Sequence, residues 1–135
     1  MRAEILGLVA IAMALLPAGC GSAAREQELH ARPAARGLPQ AEADYDAALA
    51  LIARQRFNEA GLKLIGLDER FERAGDTGRA AQSMFWLAYC YEKLDRTAEA
   101  AELYGRVTQR YPDTPAARQA AERLARLPGG KAAGK

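Results

Sequence analysis

The sequence predicts an all-α fold: a short α–α solenoid of two helix hairpins and a C-terminal capping helix, preceded by a signal segment and a flexible linker. Three observations predict it. Ala, Arg, Glu and Leu dominate from Ala41 onward, and these residues favour helix. Apolar residues recur there with the spacing of one helix face. The same spacing then returns further along the chain at a constant offset, which indicates a repeated unit.

The internal repeat defines the helical region. Seven apolar positions of the first copy have counterparts in the second at one constant offset: Ala47, Ala48, Leu51, Ala60, Leu64, Leu67 and Phe71 correspond to Leu87, Ala88, Tyr91, Ala100, Tyr104, Val107 and Tyr111. Each copy is predicted to be two amphipathic helices joined by a short turn, near residues 55–58 and 95–97. The small residues Ala88 and Ala100 are expected to let two helix backbones approach closely.

Residues typical of helix ends divide this region. Asn58 and Thr97 are predicted N-caps, because their side chains can accept an N–H of the first helical turn. Gly75 is expected to end a helix in the left-handed conformation. Thr114, followed by a proline, is the predicted start of a fifth helix. Pro128 and the two glycines after it are expected to stop that helix.

The middle and last helices have different apolar patterns. Residues 78–94 are apolar on nearly all sides, Trp86 included, so neighbours must cover this helix on several faces. The last helix has one apolar side, formed by Ala117, Ala120, Ala121, Leu124 and Leu127, and one charged side. A terminal capping helix requires one buried face and one solvent-exposed face. Three glycines, Gly61, Gly66 and Gly105, are expected to weaken their helices.

These patterns resemble the tetratricopeptide repeat (TPR) family. Its succession of large, small and aromatic positions with a closing proline is matched by Met84, Leu87, Ala88, Tyr91, Ala100, Tyr104 and Pro112. The resemblance covers residues 41–127. The first copy exceeds the usual length, and extra turns around residues 73–78 are expected to absorb the difference. The chain also resembles bacterial envelope TPR lipoproteins, both the Tol-Pal-associated cell-division coordinator type and the β-barrel assembly lipoprotein type.

The TPR resemblance implies a groove for a protein partner, lined by the first helix of each pair. The residues it implies for this groove are Tyr45, Leu49, Gln82, Phe85, Tyr89 and Lys93, with Glu42 beside them. The alternative for Phe85 and Tyr89 is that both are ordinary packing residues. Three repeats are usually needed for a stable stack. A chain with two repeats and a capping helix is therefore also expected to self-associate or to be stabilised by a partner.

The first residues have the layout of an export signal. Residues 1–19 resemble a bacterial lipoprotein signal peptide, with an apolar run that is shorter than a membrane span and a small-residue stretch ending at Cys20. Cys20 is the expected lipidation site, although Pro17 stands where the motif usually has Leu. A plain secretory cut after Ala23 is the alternative. Residues 20–40 are expected to form the lipid anchor and flexible linker, and residues 128–135 a disordered tail.

Several classes of function are not expected. The formal net charge is +2 with both signs interspersed, whereas nucleic-acid binders have a clustered basic face. The chain has one histidine and two cysteines, so no metal site, cofactor or catalytic constellation is expected, and Cys90 is interpreted as an inert core thiol. The sequence therefore predicts a non-enzymatic outer-membrane lipoprotein facing the periplasm and acting as a protein-binding adaptor. The alternatives are a self-associating structural envelope subunit and a soluble periplasmic TPR protein without a lipid anchor.

Overall fold

The computed structural model describes residues 37–129, and this part of the chain is helical without strands. Its six helices are α1 (Leu38–Ala53), α2 (Phe57–Leu64), α3 (Leu67–Arg73), α4 (Thr77–Lys93), α5 (Thr97–Arg110) and α6 (Pro115–Arg126). Helix α1 packs on α2, and α4 packs on α5, which in turn contacts α6. The predicted all-α solenoid of helix pairs is confirmed.

The middle helix α4 is the centre of the packing. It contacts α2 and α3 of the first pair, its own partner α5, and the last helix α6. This is the covering on several faces that its apolar pattern predicts. Trp86 itself is only partly buried, whereas Ala80, Ala81 and Ala88 are fully enclosed. The small residues of α4 therefore lie at its closest contacts with neighbouring helices.

Five of the seven repeated pairs are buried in both copies and form much of the hydrophobic core. The pairs Ala47/Leu87 and Leu51/Tyr91 are only partly buried. Tyr104, Phe71, Leu64, Leu67 and Val107 are among the largest fully buried side chains. The small members of the repeat are also completely buried: Ala48, Ala60, Ala88 and Ala100. The constant offset of the repeat thus marks equivalent core positions in the two helix pairs.

The turns within the two pairs have the same backbone geometry. Gln55 and Asp95, which occupy the same place in the two copies, are both left-handed, with φ of 61° and 59°. Arg56 precedes the next helix in the first pair, and Arg96 precedes it in the second pair. Neither of these two helices has a side chain that caps its start. The predicted caps Asn58 and Thr97 are therefore wrong, because both residues already lie in the first helical turn.

An exposed ion pair, and no capping side chain, lies at both of these helix starts. Arg56 pairs with Glu59 at 2.5 Å, and Arg96 pairs with Glu99 at 2.8 Å. Each carboxylate lies in the first turn of its helix, where the helix dipole favours a negative charge. The repeat therefore extends to this surface arginine–glutamate pair as well as to the core.

The second segment of the first pair is broken into α2 and α3. Gly66 is left-handed with φ of 77° and separates the two helices. The connection from Arg73 to Thr77 is a tight turn around the left-handed Gly75, as predicted for that glycine. The expectation of extra turns at residues 73–78 is therefore wrong, because the interruption lies at residues 65–66.

Side-chain caps are present at two other helix starts. The Ala117 N–H donates to Thr114 Oγ1 at 3.2 Å, which confirms the predicted cap of α6. The Arg79 N–H donates to Asp76 Oδ1 at 2.9 Å, a cap of α4 that the sequence analysis did not identify. The Asp76 cap satisfies a backbone donor that the helix itself leaves unpaired, whereas the Ala117 N–H also donates to the Thr114 carbonyl at 3.1 Å.

Helix α6 buries a narrower stripe than predicted. Its buried residues are Ala116, Ala117, Ala120 and Leu124, whereas Ala121 is exposed. The expectation for Ala121 is wrong because it lies about 100° around the helix from Ala120, past the edge of the contact. The helix ends at Arg126, and Leu127 is extended immediately before Pro128, as expected for a residue that precedes proline.

Several predictions fall on residues outside the described range 37–129. They are the signal peptide (1–19), lipidation of Cys20, most of the linker, and the tail from residue 130 onward. At the linker's end, helix α1 begins at Leu38, ahead of the predicted domain start at Ala41, and Pro39 occupies its first turn, where proline is tolerated. Within the described range, no helix combines the length and apolar character that crossing a membrane requires.

Candidate protein-binding face

The first helices of the two pairs, α1 and α4, are joined along one face of the described residues. The Tyr45 hydroxyl donates to Gln82 Oε1 at 3.1 Å, and Arg79 pairs with Glu42. The Tyr45 ring also packs edge-on against Phe71, with centroids 6.0 Å apart. Two polar side-chain contacts therefore link α1 to α4, while α1 itself packs against α2 and α3.

A strip of partly buried aromatic rings lies on this face. We define the aromatic strip as Phe57, Trp86 and Tyr89. The Tyr89 ring is 5.5 Å from Trp86 and 6.1 Å from Phe57 between centroids, both in edge-to-face geometry. Such pairs contribute about 0.5–1.5 kcal/mol beyond the area they bury. The strip thus combines mutual packing with partial exposure of three large rings.

Two cations border the strip at Tyr89. The Lys93 ammonium lies 5.3 Å from the centroid of the Tyr89 ring, and the Arg123 guanidinium of α6 lies 4.6 Å from it. We call Lys93 and Arg123 the cationic edge. Both distances fall within the range of cation–π attraction. Tyr89 therefore lies where the aromatic and the charged parts of this face meet.

Glu92 connects the cationic edge to the core. Its two carboxylate oxygens accept one hydrogen bond each, from the Tyr104 hydroxyl at 2.7 Å and from Arg123 Nη1 at 2.8 Å. Burial raises the pKa of Tyr104, and the neighbouring Glu92 raises it further, so the phenol stays protonated as a donor. Glu92 thereby holds α6 against α4 and α5 and positions Arg123 over Tyr89.

The predicted groove residues differ in their exposure. Gln82 and Lys93 are exposed, while Tyr45, Leu49 and Tyr89 are partly buried. These five residues stay candidates for partner binding.

Phe85 is a core residue instead. Its ring is only 6% exposed and packs between Trp86 and Tyr104, with centroids 5.3 and 5.6 Å away. The expectation that Phe85 lines an open groove is therefore wrong, because α5 supplies a ring that covers it.

Three residues of this face were not assigned to it by the sequence analysis. Phe57 begins α2, Trp86 belongs to the apolar pattern of the middle helix, and Arg123 belongs to the charged side of the last helix. Phe57 and Arg123 each meet Tyr89 from a different helix, far from it in sequence. No local pattern signals such contacts, so only the packing of α2 and α6 against α4 reveals them.

The described residues hold no group of three or more side chains that would suit a metal ion. Cys90 is completely buried, and burial raises the pKa of its thiol to about 11. Its thiol is therefore protonated near neutral pH and inaccessible, as the interpretation of a core thiol requires.

Comparison with known proteins identifies the repeat. Residues 82–114 match the tetratricopeptide repeat family. The chain contains a tetratricopeptide repeat. The match runs from Gln82 in α4, through all of α5, to the Thr114 cap of α6. No curated protein and no solved structure matches the chain. Tetratricopeptide repeats are typically protein-interaction modules, and their stacked helices form extended concave binding surfaces.

Proposed function

We propose that this chain is an adaptor that binds a segment of another protein across the face formed by α1, α4, α6 and the start of α2. The observation that carries the proposal is the aromatic strip, which keeps three large rings partly exposed: Trp86 and Tyr89 on the repeat's first helix, and Phe57 beside it. Tyrosine, tryptophan and arginine are the residues most enriched where truncation weakens protein binding most. All three occur here within a few ångströms of Tyr89.

Site-specific photo-crosslinking tests this binding face in cells. A crosslinking amino acid at Gln82, which is exposed on the face, is expected to capture a defined protein. The same amino acid at Arg106, exposed on α5 outside the face, is the matched control. The Gln82 adduct is expected to disappear in a Tyr89→Ala variant whose urea midpoint shows that it remains folded. Identical adducts from both positions, or an adduct indifferent to Tyr89, would contradict the proposal.

We further propose that the adaptor is exported and tethered to the outer membrane through Cys20. The support is the sequence pattern of residues 1–20 alone. Mass spectrometry of the mature protein tests it: the expected N-terminus is an acylated Cys20, and Cys20→Ser is expected to move the protein to the soluble periplasmic fraction. A free N-terminus near Ala24 in the unaltered protein would instead favour the soluble periplasmic alternative.

The second candidate function is a self-associating structural subunit. Two large apolar side chains near the α2–α3 break favour it: Leu62 is 68% exposed and Ile65 is 56% exposed. Sedimentation velocity over a range of concentrations distinguishes the candidates. A dimer that dissociates in Leu62→Glu but persists in Tyr89→Ala supports self-association through this surface. A monomer at all concentrations counts against it.

A further inference from the structure

We propose that the partner presents a carboxylate next to an aromatic or aliphatic side chain, bound by the cationic edge and the aromatic strip respectively. This inference rests on the proposed adaptor function and adds the chemistry of the bound segment. The juxtaposition that carries it is Tyr89, which contacts two rings on the strip and two cations on the edge.

The strip is suited to the apolar part of the partner. Phe57, Trp86 and Tyr89 are partly exposed, and Tyr89 packs edge-to-face against each of the other two rings. A partner side chain that lies across them removes further apolar surface from water, at about 25 cal/mol per Å². Little conformational entropy is lost on this side because the rings are already positioned.

The cationic edge is suited to the carboxylate. Lys93 makes no ion pair within the described residues, so its ammonium has donors available. Arg123 donates to Glu92 through Nη1 only, although a guanidinium carries five N–H donors. Among the described residues, Glu92 is the single carboxylate paired with this edge, and both of its oxygens are already engaged.

The cationic edge, counted with Glu92, therefore carries one net positive charge. Two cations face one carboxylate, and the acidic neighbours in sequence, Asp95 and Glu122, form no ion pair with either cation. A carboxylate from a partner would complete the set with charge-assisted hydrogen bonds, which are stronger than neutral ones. A basic partner would instead be repelled by Lys93 and Arg123.

Peptide selection on the full-length chain tests the inference. A random heptapeptide display library is selected on the unaltered protein and depleted on Tyr89→Ala. The expected survivors carry Asp or Glu within two positions of an aromatic or aliphatic residue. Trp86 is the single tryptophan of the chain and lies in the strip, so its emission reports binding of each synthesised peptide. We expect affinity to fall with added salt, as for exposed charges.

Matched variants separate the two levels of the proposal. Lys93→Gln and Arg123→Gln are each expected to weaken the selected acidic peptides at least tenfold, while Arg118→Gln on the exposed side of α6 leaves affinity unchanged. Lys93 is exposed, so its variant tests the charge even where Arg123→Gln loosens α6. Selected peptides that need Tyr89 but are neutral or basic would contradict the proposal of an acidic partner and would still support the adaptor function. An absence of any peptide that depends on Tyr89 would overturn both.

Discussion

Two buried tyrosines at the residue scale place their hydroxyl groups in different surroundings. The Tyr104 hydroxyl donates to Glu92 at 2.7 Å. The Tyr111 hydroxyl is buried without a hydrogen-bond partner within residues 37–129. Both tyrosines are repeated core positions in the sequence, yet a buried hydroxyl with no partner costs about 1–3 kcal/mol of desolvation. The two phenols are therefore expected to respond oppositely to loss of the hydroxyl.

Removing each hydroxyl by substitution with phenylalanine tests this difference. Tyr111→Phe is expected to leave the free energy of unfolding unchanged or to raise it by about 1 kcal/mol, because no hydrogen bond is lost. Tyr104→Phe is expected to lower it by about 1–3 kcal/mol, because the Glu92 carboxylate loses a donor. Urea denaturation of both variants measures the changes. Equal losses in the two variants would contradict the expectation.

The buried thiol of Cys90 makes stability depend on pH in the alkaline range. Burial raises its pKa from 9.0 to about 11, so the folded state holds the proton more tightly than the unfolded state. The resulting stabilisation is complete below pH 9 and disappears as the pH rises to 11. Tyr104, whose pKa burial also raises, contributes in the same direction.

Comparison with Cys90→Ala isolates the thiol's part of this dependence. We expect the free energy of unfolding of the unaltered protein to fall more steeply between pH 8 and pH 11 than that of the variant. Tyr104 is present in both proteins, so its contribution cancels in the difference. Urea midpoints at several pH values give both curves, and parallel curves would refute the assignment.

At the scale of a single helix, two glycines with the same predicted effect have different roles. Gly66 is left-handed and separates α2 from α3. Gly105 lies inside α5, and a Cβ added there meets no atom within 4 Å beyond the helix's own backbone. The expected weakening of a helix therefore applies to Gly105, whereas Gly66 supplies a backbone conformation that other residues adopt at a cost.

Alanine at each glycine is the corresponding experiment. Gly105→Ala is expected to raise the free energy of unfolding by about 0.5–1 kcal/mol, through helix propensity. Gly66→Ala is expected to lower it by about 1–2 kcal/mol, because a Cβ disfavours the left-handed conformation. Thermal melts followed by circular dichroism measure both. Stabilisation by Gly66→Ala would show that the break between α2 and α3 is not maintained.

Helix starts give a second prediction at this scale. Thr114→Ala is expected to cost about 0.5–2 kcal/mol, because the Ala117 N–H loses its side-chain acceptor. Asn58→Ala is expected to change stability by less than about 0.5 kcal/mol, since Asn58 is exposed and does not cap α2. Urea midpoints of the two variants provide the comparison, with each serving as the other's control.

For the helical region as a whole, α4 makes the two pairs one packing unit. It contacts α2, α3, α5 and α6, and the Arg110–Glu72 ion pair joins α5 to α3 as well. A short stack gains stability mainly from contacts between neighbouring units. Neither pair is therefore expected to remain folded once α4 is released.

Cooperative unfolding is the measurable consequence. Trp86 emission reports the surroundings of α4, and far-ultraviolet circular dichroism reports all helices. We expect the two signals to give the same urea midpoint in one transition, as two-state behaviour requires. Separate midpoints would show that a helix pair unfolds independently of α4.

Much of the helical architecture was predictable because its determinants are local. Periodicity identified α1, α4, α5 and α6, and the constant offset between the copies identified core positions such as Phe71 and Tyr104. The Thr114 cap was predictable because a cap involves residues within one turn. The break at Gly66 was not, because glycine tolerates both a helix and a left-handed bend, and the surrounding packing selects between them.

The sequence by itself determined the all-α class, the helix pairs and the core positions, since propensity and periodicity act over short stretches of chain. Tertiary structure alone decided the composition of the candidate face. It enclosed Phe85 against Tyr104, and it brought Phe57 and Arg123 to Tyr89 from distant parts of the chain. The physical reason is that a helix's own pattern specifies which side is buried, whereas its neighbours specify which rings are covered and which charges meet.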